Sequence, residues 1–253
     1  MLLPRIIPCL LLTKNDLVKT INFKNPNYIG DPINAVKIFN EKKADELFLL
    51  EIDASTKKYE PNFELIKKIA RESRMPICYG GGIKNVEQAK KIFNFGIEKI
   101  ALSSIIFQNM NIVSEISNYS GSNSTVVVLD IKKVENEYSI FIRNGKEKLD
   151  LDIASLIKEL HNLGMGEIVI NSIDKDGTMQ GFDYDLIDSL IDLIKVPITI
   201  LGGAGSFQDI KNAVDKYGSI GISCGSLFVY KGPRKAVLLN YPKKEDKLKL
   251  IRT

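Results

Sequence analysis

The chain has 253 residues, 44% of them hydrophobic and 26% charged, with a net charge of +4. That is ample for one large core, and the mixing of acids and bases leaves no basic block to suggest nucleic acid. The cysteines Cys9, Cys78 and Cys224 lie in apolar runs without CxxC or metal-ligand spacing, and His161 is the only histidine, which speaks against a disulfide framework, a His-based metal site and a Ser-His-Asp triad.

The first strand is expected at 5–12, Arg5-Ile6-Ile7-Pro8-Cys9-Leu10-Leu11-Leu12. It is too short and too poorly flanked for a membrane span or a signal peptide, so a cytoplasmic protein with no membrane role is expected. A polar loop is read over 13–30 and a helix from Asp31 to Lys42. Strand-like runs then fall at 46–52, 76–79 and 99–103, with helices at about 61–73, 85–95 and 109–119. The second half repeats the plan, with strands at 125–130, 167–173, 197–201 and 219–224 and helices at about 151–163, 184–194, 206–216 and 232–240. A hairpin-like excursion over 137–146 follows the fifth strand, and the Lys-rich tail (Lys243, Lys244, Lys247, Lys249, Arg252) reads as solvated. Eight strand–helix units with nearly continuous apolar strands predict a parallel sheet closed into a (β/α)8 TIM barrel, as a single domain over 1–253.

Gly80-Gly81-Gly82 ends the third run and Gly202-Gly203-Ala204-Gly205 the seventh; Ser103-Ser104 ends the fourth and Gly225-Ser226 the eighth. Matching signals half a chain apart predict an internal half-barrel duplication, with halves of about 1–120 and 121–253. Backbone N–H groups at such turns can hold phosphate, and in barrels these sites recur at the C-terminal face. Gly203, Ala204, Gly225 and Ser226, with Gly177 and Thr178, fit one such site, and Gly81, Gly82, Ser103 and Ser104 a second. Glycines after strands can also serve only to make tight turns, but the paired arrangement favours a ligand phosphorylated at both ends. Lys19, Glu51, Asp174 and Asp176 are further candidates at this face. Asp130, ending Val126-Val127-Val128-Leu129-Asp130, is the strongest acid–base candidate.

At the opposite face Arg5, Glu46, Lys99 and Glu167 each open a strand. They are either scattered surface charges or a closed salt-bridge ring on the barrel floor.

Arg-Ile-Ile-x-Cys-Leu at 5–10, Gly30-Asp31-Pro32, Asp-Glu-Leu at 45–47, Gly80-Gly81-Gly82-Ile83, Val-Val-Val-x-Asp ending at Asp130, Ser172-Ile173-Asp174-x-Asp176-Gly177-Thr178 and Gly202-Gly203-Ala204-Gly205 together resemble the cyclase (HisF) subunit of imidazole glycerol phosphate synthase, end to end. The resemblance implies a glutaminase (HisH-like) subunit docked on the barrel bottom and ammonia passing through the barrel. It also implies a floor gate made by Arg5, Glu46, Lys99 and Glu167, which favours the ring. It places phosphate binding at Gly82, Ser104, Gly177, Gly203 and Ser226, and implies no cofactor and no metal. The family's acid–base pair consists of aspartates at the ends of strands one and five. Asp130 matches the second, but the first falls on Leu11. Glu51 stands where the family has an aspartate, and Leu201 where it has a small polar residue.

The wording Pro4-Arg5-Ile6-Ile7-Pro8-Cys9-Leu10-Leu11-Leu12, Leu17-Val18-Lys19-Thr20 and Tyr28-x-Gly-Asp-Pro-Ile-Asn-Ala-Val at 28–36 resembles the glycosyl amidation-associated (WbuZ-like) branch. That resemblance implies an ammonia-supplying role with an N-acetyl sugar amidotransferase as a further partner, converting an acetamido to an acetamidino sugar in surface-saccharide biosynthesis. Two other readings stay open. One is a working cyclase that makes imidazole glycerol phosphate and AICAR for histidine biosynthesis. The other is a regulatory or structural barrel that transfers no ammonia.

Overall fold

The structure, a computed structural model, describes residues 4–251. Eight parallel strands pair in sequence order: β1 (Arg5–Thr13), β2 (Leu47–Glu51), β3 (Ile77–Gly80), β4 (Lys99–Leu102), β5 (Thr125–Val134), β6 (Glu167–Ser172), β7 (Ile198–Leu201) and β8 (Gly221–Cys224). The β8–β1 pairing, Arg5↔Gly221 through Pro8↔Cys224, closes the barrel. The (β/α)8 architecture read from the sequence is the one observed.

Alternation along each strand divides the core in two, because successive side chains point to opposite faces. Ile7, Cys9, Phe48, Cys78, Ala101, Val126, Val128, Val169 and Leu201 fill the barrel, with Leu11 and Leu50 packed on them. Ile6, Leu10, Leu12, Leu47, Leu49 and Ile168 point outward into the larger core under the helices. So only one of the three leucines at the end of β1, Leu11, faces the barrel interior.

The helices start where the sequence supplies a capping oxygen. Asp31, Asn62, Asn85, Asp152 and Asp183 each accept from the backbone N–H three residues on. They open α1 (Pro32–Glu41), α2 (Phe63–Glu72), α3 (Val86–Asn94), α5 (Ile153–Asn162) and α6 (Tyr184–Leu190). Between them α4 (Ile112–Ser120) lacks a side-chain cap, and Ser206 with Asp209 makes a capping box for α7 (Phe207–Tyr217). His161 is structural: its Nε2 accepts from Lys195 N–H at 3.0 Å, so Nδ1 donates to the Ile157 carbonyl at 2.7 Å.

Three segments differ from the sequence reading. The expected polar loop 13–30 is an antiparallel hairpin, Asp16–Ile21 against Lys24–Gly30, continuing from β1. Its second strand is almost wholly exposed, so no apolar alternation marks it. The helix expected at 232–240 does not form. Ser226–Val229 makes a single helical turn, and Tyr230–Lys231 pairs with Ala236–Val237 around Gly232 and Pro233, residues that favour a turn. The tail expected to be solvated forms α8 (Lys244–Ile251), which packs on α7 and is tied down through Lys247; Arg252 lies outside the described residues. The excursion after β5 is a hairpin, with Glu137–Ile142 returning along Ile131–Val134.

Candidate functional site

The C-terminal ends of the strands open onto a cavity of about 520 Å³. Leu11, Leu50, Val128, Leu201 and Ala101 give it an apolar bottom, and the first and second hairpins reach its rim with Phe23, Arg143 and Asn144. The glycine turns lie on opposite walls. A Cβ at Gly81 would stand 2.2 Å from the Glu51 carbonyl oxygen, and one at Gly203 would stand 2.1 Å from that of Gly181. Each turn therefore needs glycine for backbone packing alone, while both turns line the cavity.

Asp130 stands half-buried in the mouth. Asn171 Nδ2 donates to one of its oxygens at 2.7 Å, and Ser103 Oγ lies 3.4 Å from the other. Burial pushes its carboxyl up to about 7; the Asn171 and Ser103 bonds oppose this and the Asp176 charge adds to it. Among the described residues no cation pairs with it. A carboxyl titrating near neutrality is suited to general acid–base work.

The other carboxylates of the mouth are engaged. Asp176 pairs with the buried Lys19 ammonium at 2.7 Å and accepts from Thr20 Oγ at 3.1 Å. Glu51 accepts from Tyr59 Oη at 2.7 Å and from Asp53 N–H at 2.9 Å; burial raises its pKa against those two bonds. Asp174, suggested for this face, is not part of the cavity lining; it accepts from Lys133 N–H at 2.8 Å and so anchors the hairpin after β5. Across from Asp130, the end of β1 offers Leu11.

Of the residues suggested for phosphate, Gly82, Ser104, Gly177, Gly203 and Ser226 line the cavity. Ser226 Oγ is buried there without a partner. Gly177 also lets the first hairpin pass, since a Cβ on it would meet the Thr20 carbonyl at 2.3 Å. Thr178 is not part of the cavity lining; its hydroxyl donates to the Lys175 carbonyl at 2.8 Å.

At the other end the four charges meet. Arg5 binds Glu46 through one guanidinium nitrogen and Glu167 through the other at 2.7 Å; Lys99 bridges the same two carboxylates, 2.8 Å from each. Cations and anions thus alternate around a closed ring. Thr199 Oγ adds a 2.6 Å bond to Glu167, and Gly221 leaves the space, since a Cβ there would sit 1.9 Å from that hydroxyl. Burial alone would raise the Glu167 carboxyl, but Arg5 and Lys99 outweigh it and hold it below its ordinary value. Burial works against the Arg5 and Lys99 charges too, and the two glutamates override it, raising both pKa values.

Sequence reasoning overlooked Asn171, Thr199 and Tyr59. The first two had a signal, a lone polar residue at an inward position of an apolar strand. Tyr59 in its loop had none.

Residues 5–233 match the family described as "Histidine biosynthesis protein". The chain belongs to that family. It is 53% identical over 249 residues to the "Putative imidazole glycerol phosphate synthase subunit HisF" of Leptospira borgpetersenii, covering 98% of each chain. It is 44% identical over 239 residues to a protein of Pseudomonas aeruginosa described in the same words as subunit hisF2, covering 94% of this chain and 95% of that one. The "Imidazole glycerol phosphate synthase subunit HisF" of Lactococcus lactis is 35% identical over 232 residues, 91% of this chain and 90% of its own. This is therefore a HisF-like subunit. Among the described residues no group of three or more His, Cys, Asp or Glu side chains is placed to hold a metal ion, and no helix is long and apolar enough to cross a membrane.

Proposed function

We propose that this HisF-like chain docks a HisH-like glutaminase on its floor and conducts ammonia through the barrel to an acceptor, and that its own cyclase chemistry is lost. The acceptor reaction best suited to the resemblance is acetamido-to-acetamidino conversion on a sugar, carried out by a partner amidotransferase. The observation that carries the reading is the contrast at β1. Arg5 at its start completes an ion-paired ring, while Leu11 at its end leaves Asp130 with no opposing carboxylate. Asp176 and Glu51 do not stand in, because Lys19 holds one and Tyr59 with the Asp53 amide holds the other. Leaving out one general acid costs on the order of 10²–10⁴ in rate. In this reading Arg5, Glu46, Lys99 and Glu167 gate the floor, and the glycine cradles with Lys19, Ser104 and Ser226 keep a place for a phosphorylated ligand.

The test is cyclase turnover with excess ammonium and the ribulosyl form of the phosphoribosyl carboxamide substrate, for the wild type and Leu11→Asp. No wild-type turnover with some gained in the variant is expected. Robust wild-type turnover would sink the proposal and favour a working imidazole glycerol phosphate synthase, the reading that Asp130, with its pKa near 7, supports. A second expectation is that mixing with the glutaminase raises glutamine hydrolysis; unchanged hydrolysis would count against docking.

A further inference from the structure

The floor ring is braced from outside by the C-terminal segment. Ile6 and Asp45 are the chain neighbours of Arg5 and Glu46, and they are joined on the outer face of the same two strands. Asp45 accepts from Ile6 N–H at 3.2 Å, while Tyr241 Oη donates to the Ile6 carbonyl at 2.8 Å and accepts from Asp45 N–H at 3.1 Å. Lys247, on the first two turns of α8, closes the arrangement. Its ammonium lies 2.6 Å from the other Asp45 oxygen and 5.1 Å from the Tyr241 ring centre. The tyrosine ring is itself fixed by Phe39 and Phe228, at 6.5 and 5.4 Å between centroids. A segment from the far end of the chain therefore spends one hydroxyl on the backbone and one ammonium on the Asp45 carboxylate beside the Arg5–Glu46 pair.

We propose that residues 240–251 form a strap that holds the floor ring closed on its Arg5–Glu46 side, with Tyr241 and Lys247 as its positioning residues. This rests on the reading of the ring as a gate. The physical basis is local. Side chains of the ring close only if the starts of β1 and β2 keep their spacing, and the strap fixes that spacing directly at the Ile6 carbonyl and, through Asp45, at the Ile6 N–H. Openings smaller than global unfolding are governed by such local bonds. Loss of the strap frees the ring without removing any of its four charges.

The protein carries its own reporters. Cys78 is in register with Lys99 at ring level and is absent from the mouth lining. Cys9 and Cys224 both border the mouth cavity, Cys9 among the buried side chains inside the barrel and Cys224 among those of the core under the helices. The experiment is the labelling rate of each cysteine by a small thiol-reactive methylating reagent at mildly alkaline pH, read by mass spectrometry. It compares the wild type, Tyr241→Phe, Lys247→Ala and the ring variant Glu46→Gln. Tyr241→Phe keeps the ring packing, and Lys247 is on a surface helix, so both variants should fold. The expected result is Cys78 labelling faster by about tenfold in each strap variant, as one lost local contact allows, with Cys9 and Cys224 unchanged. All three rates rising together would make the segment an ordinary stabilising brace, and an unchanged Cys78 rate would remove its link to the ring; either overturns the strap. Glu46→Gln separates the two ideas. If it exposes Cys78 and the strap variants do not, the strap fails and the gate stands. If it does not expose Cys78, the gate itself fails.

Discussion

The floor and the mouth of this barrel both bury carboxylates, and they treat them in opposite ways. On the floor, Glu46 and Glu167 are almost fully buried, yet each touches two cations. Burial is offset by pairing, and Glu167 stays charged. In the mouth, Asp130 has neutral donors and a second carboxylate nearby, and burial prevails, carrying it to about 7. The difference shows where charge is permanent and where it is free to change. A closed ring of paired charges can seal a passage and has no reason to move protons. An unpaired carboxyl near neutrality can move a proton, but here it faces a leucine.

The largest effect is expected on the floor. Glu167→Ala leaves Arg5 and Lys99 facing each other without the carboxylate they share, and breaking a buried pair from one side costs about 3–5 kcal/mol. For a chain of this length that is a fall in Tm of roughly 6–20 °C, measured by thermal unfolding; a loss of only a degree or two would mean that the ring is well solvated. Asp176→Asn is expected to cost less, about 1–3 kcal/mol, because the buried Lys19 keeps a neutral acceptor and its bond to the Thr20 carbonyl. If the two costs were equal, the contrast between a ring and a single pair would disappear.

Much of the contrast was legible in the sequence, because it rests on strand ends. The four strand-opening charges and Asp130 stand at fixed positions of apolar runs, and a closed barrel carries such positions to one end or the other. Period-two alternation also separates Leu11 from Leu10 and Leu12, although the run of three leucines hid it. What the sequence did not reveal depends on distant segments. The second strand of the hairpin after β1 is polar and exposed and carries no pattern, yet its pairing fixes the hairpin that delivers Lys19 to Asp176. A helix is expected over 232–240, but Gly232 and Pro233 turn the chain instead. Lys247 looked like one more tail lysine, and only the fold puts it beside Asp45.

The smallest effect, and the sharpest test of the comparison, is in the pH dependence of stability. A carboxyl whose folded pKa is raised makes the folded state bind more protons than the unfolded one between the two values. Asp130 therefore contributes stability that is fully present below about 4 and lost as pH rises to about 7. Glu167, held low, acts in the other direction: its contribution is present above its unfolded value and lost as pH falls through its folded one. Asp130→Asn should then stabilise the protein at pH 8 by about 1–2 kcal/mol, discounted for partial exposure, or roughly 2–8 °C in Tm. At pH 4 the gain should vanish, because the wild-type carboxyl is already neutral there. Thermal melts of both proteins across that range decide the matter. A gain that is the same at pH 4 and pH 8 would show that the aspartate is not held neutral by burial, and the mouth would then treat its charge much as the floor does.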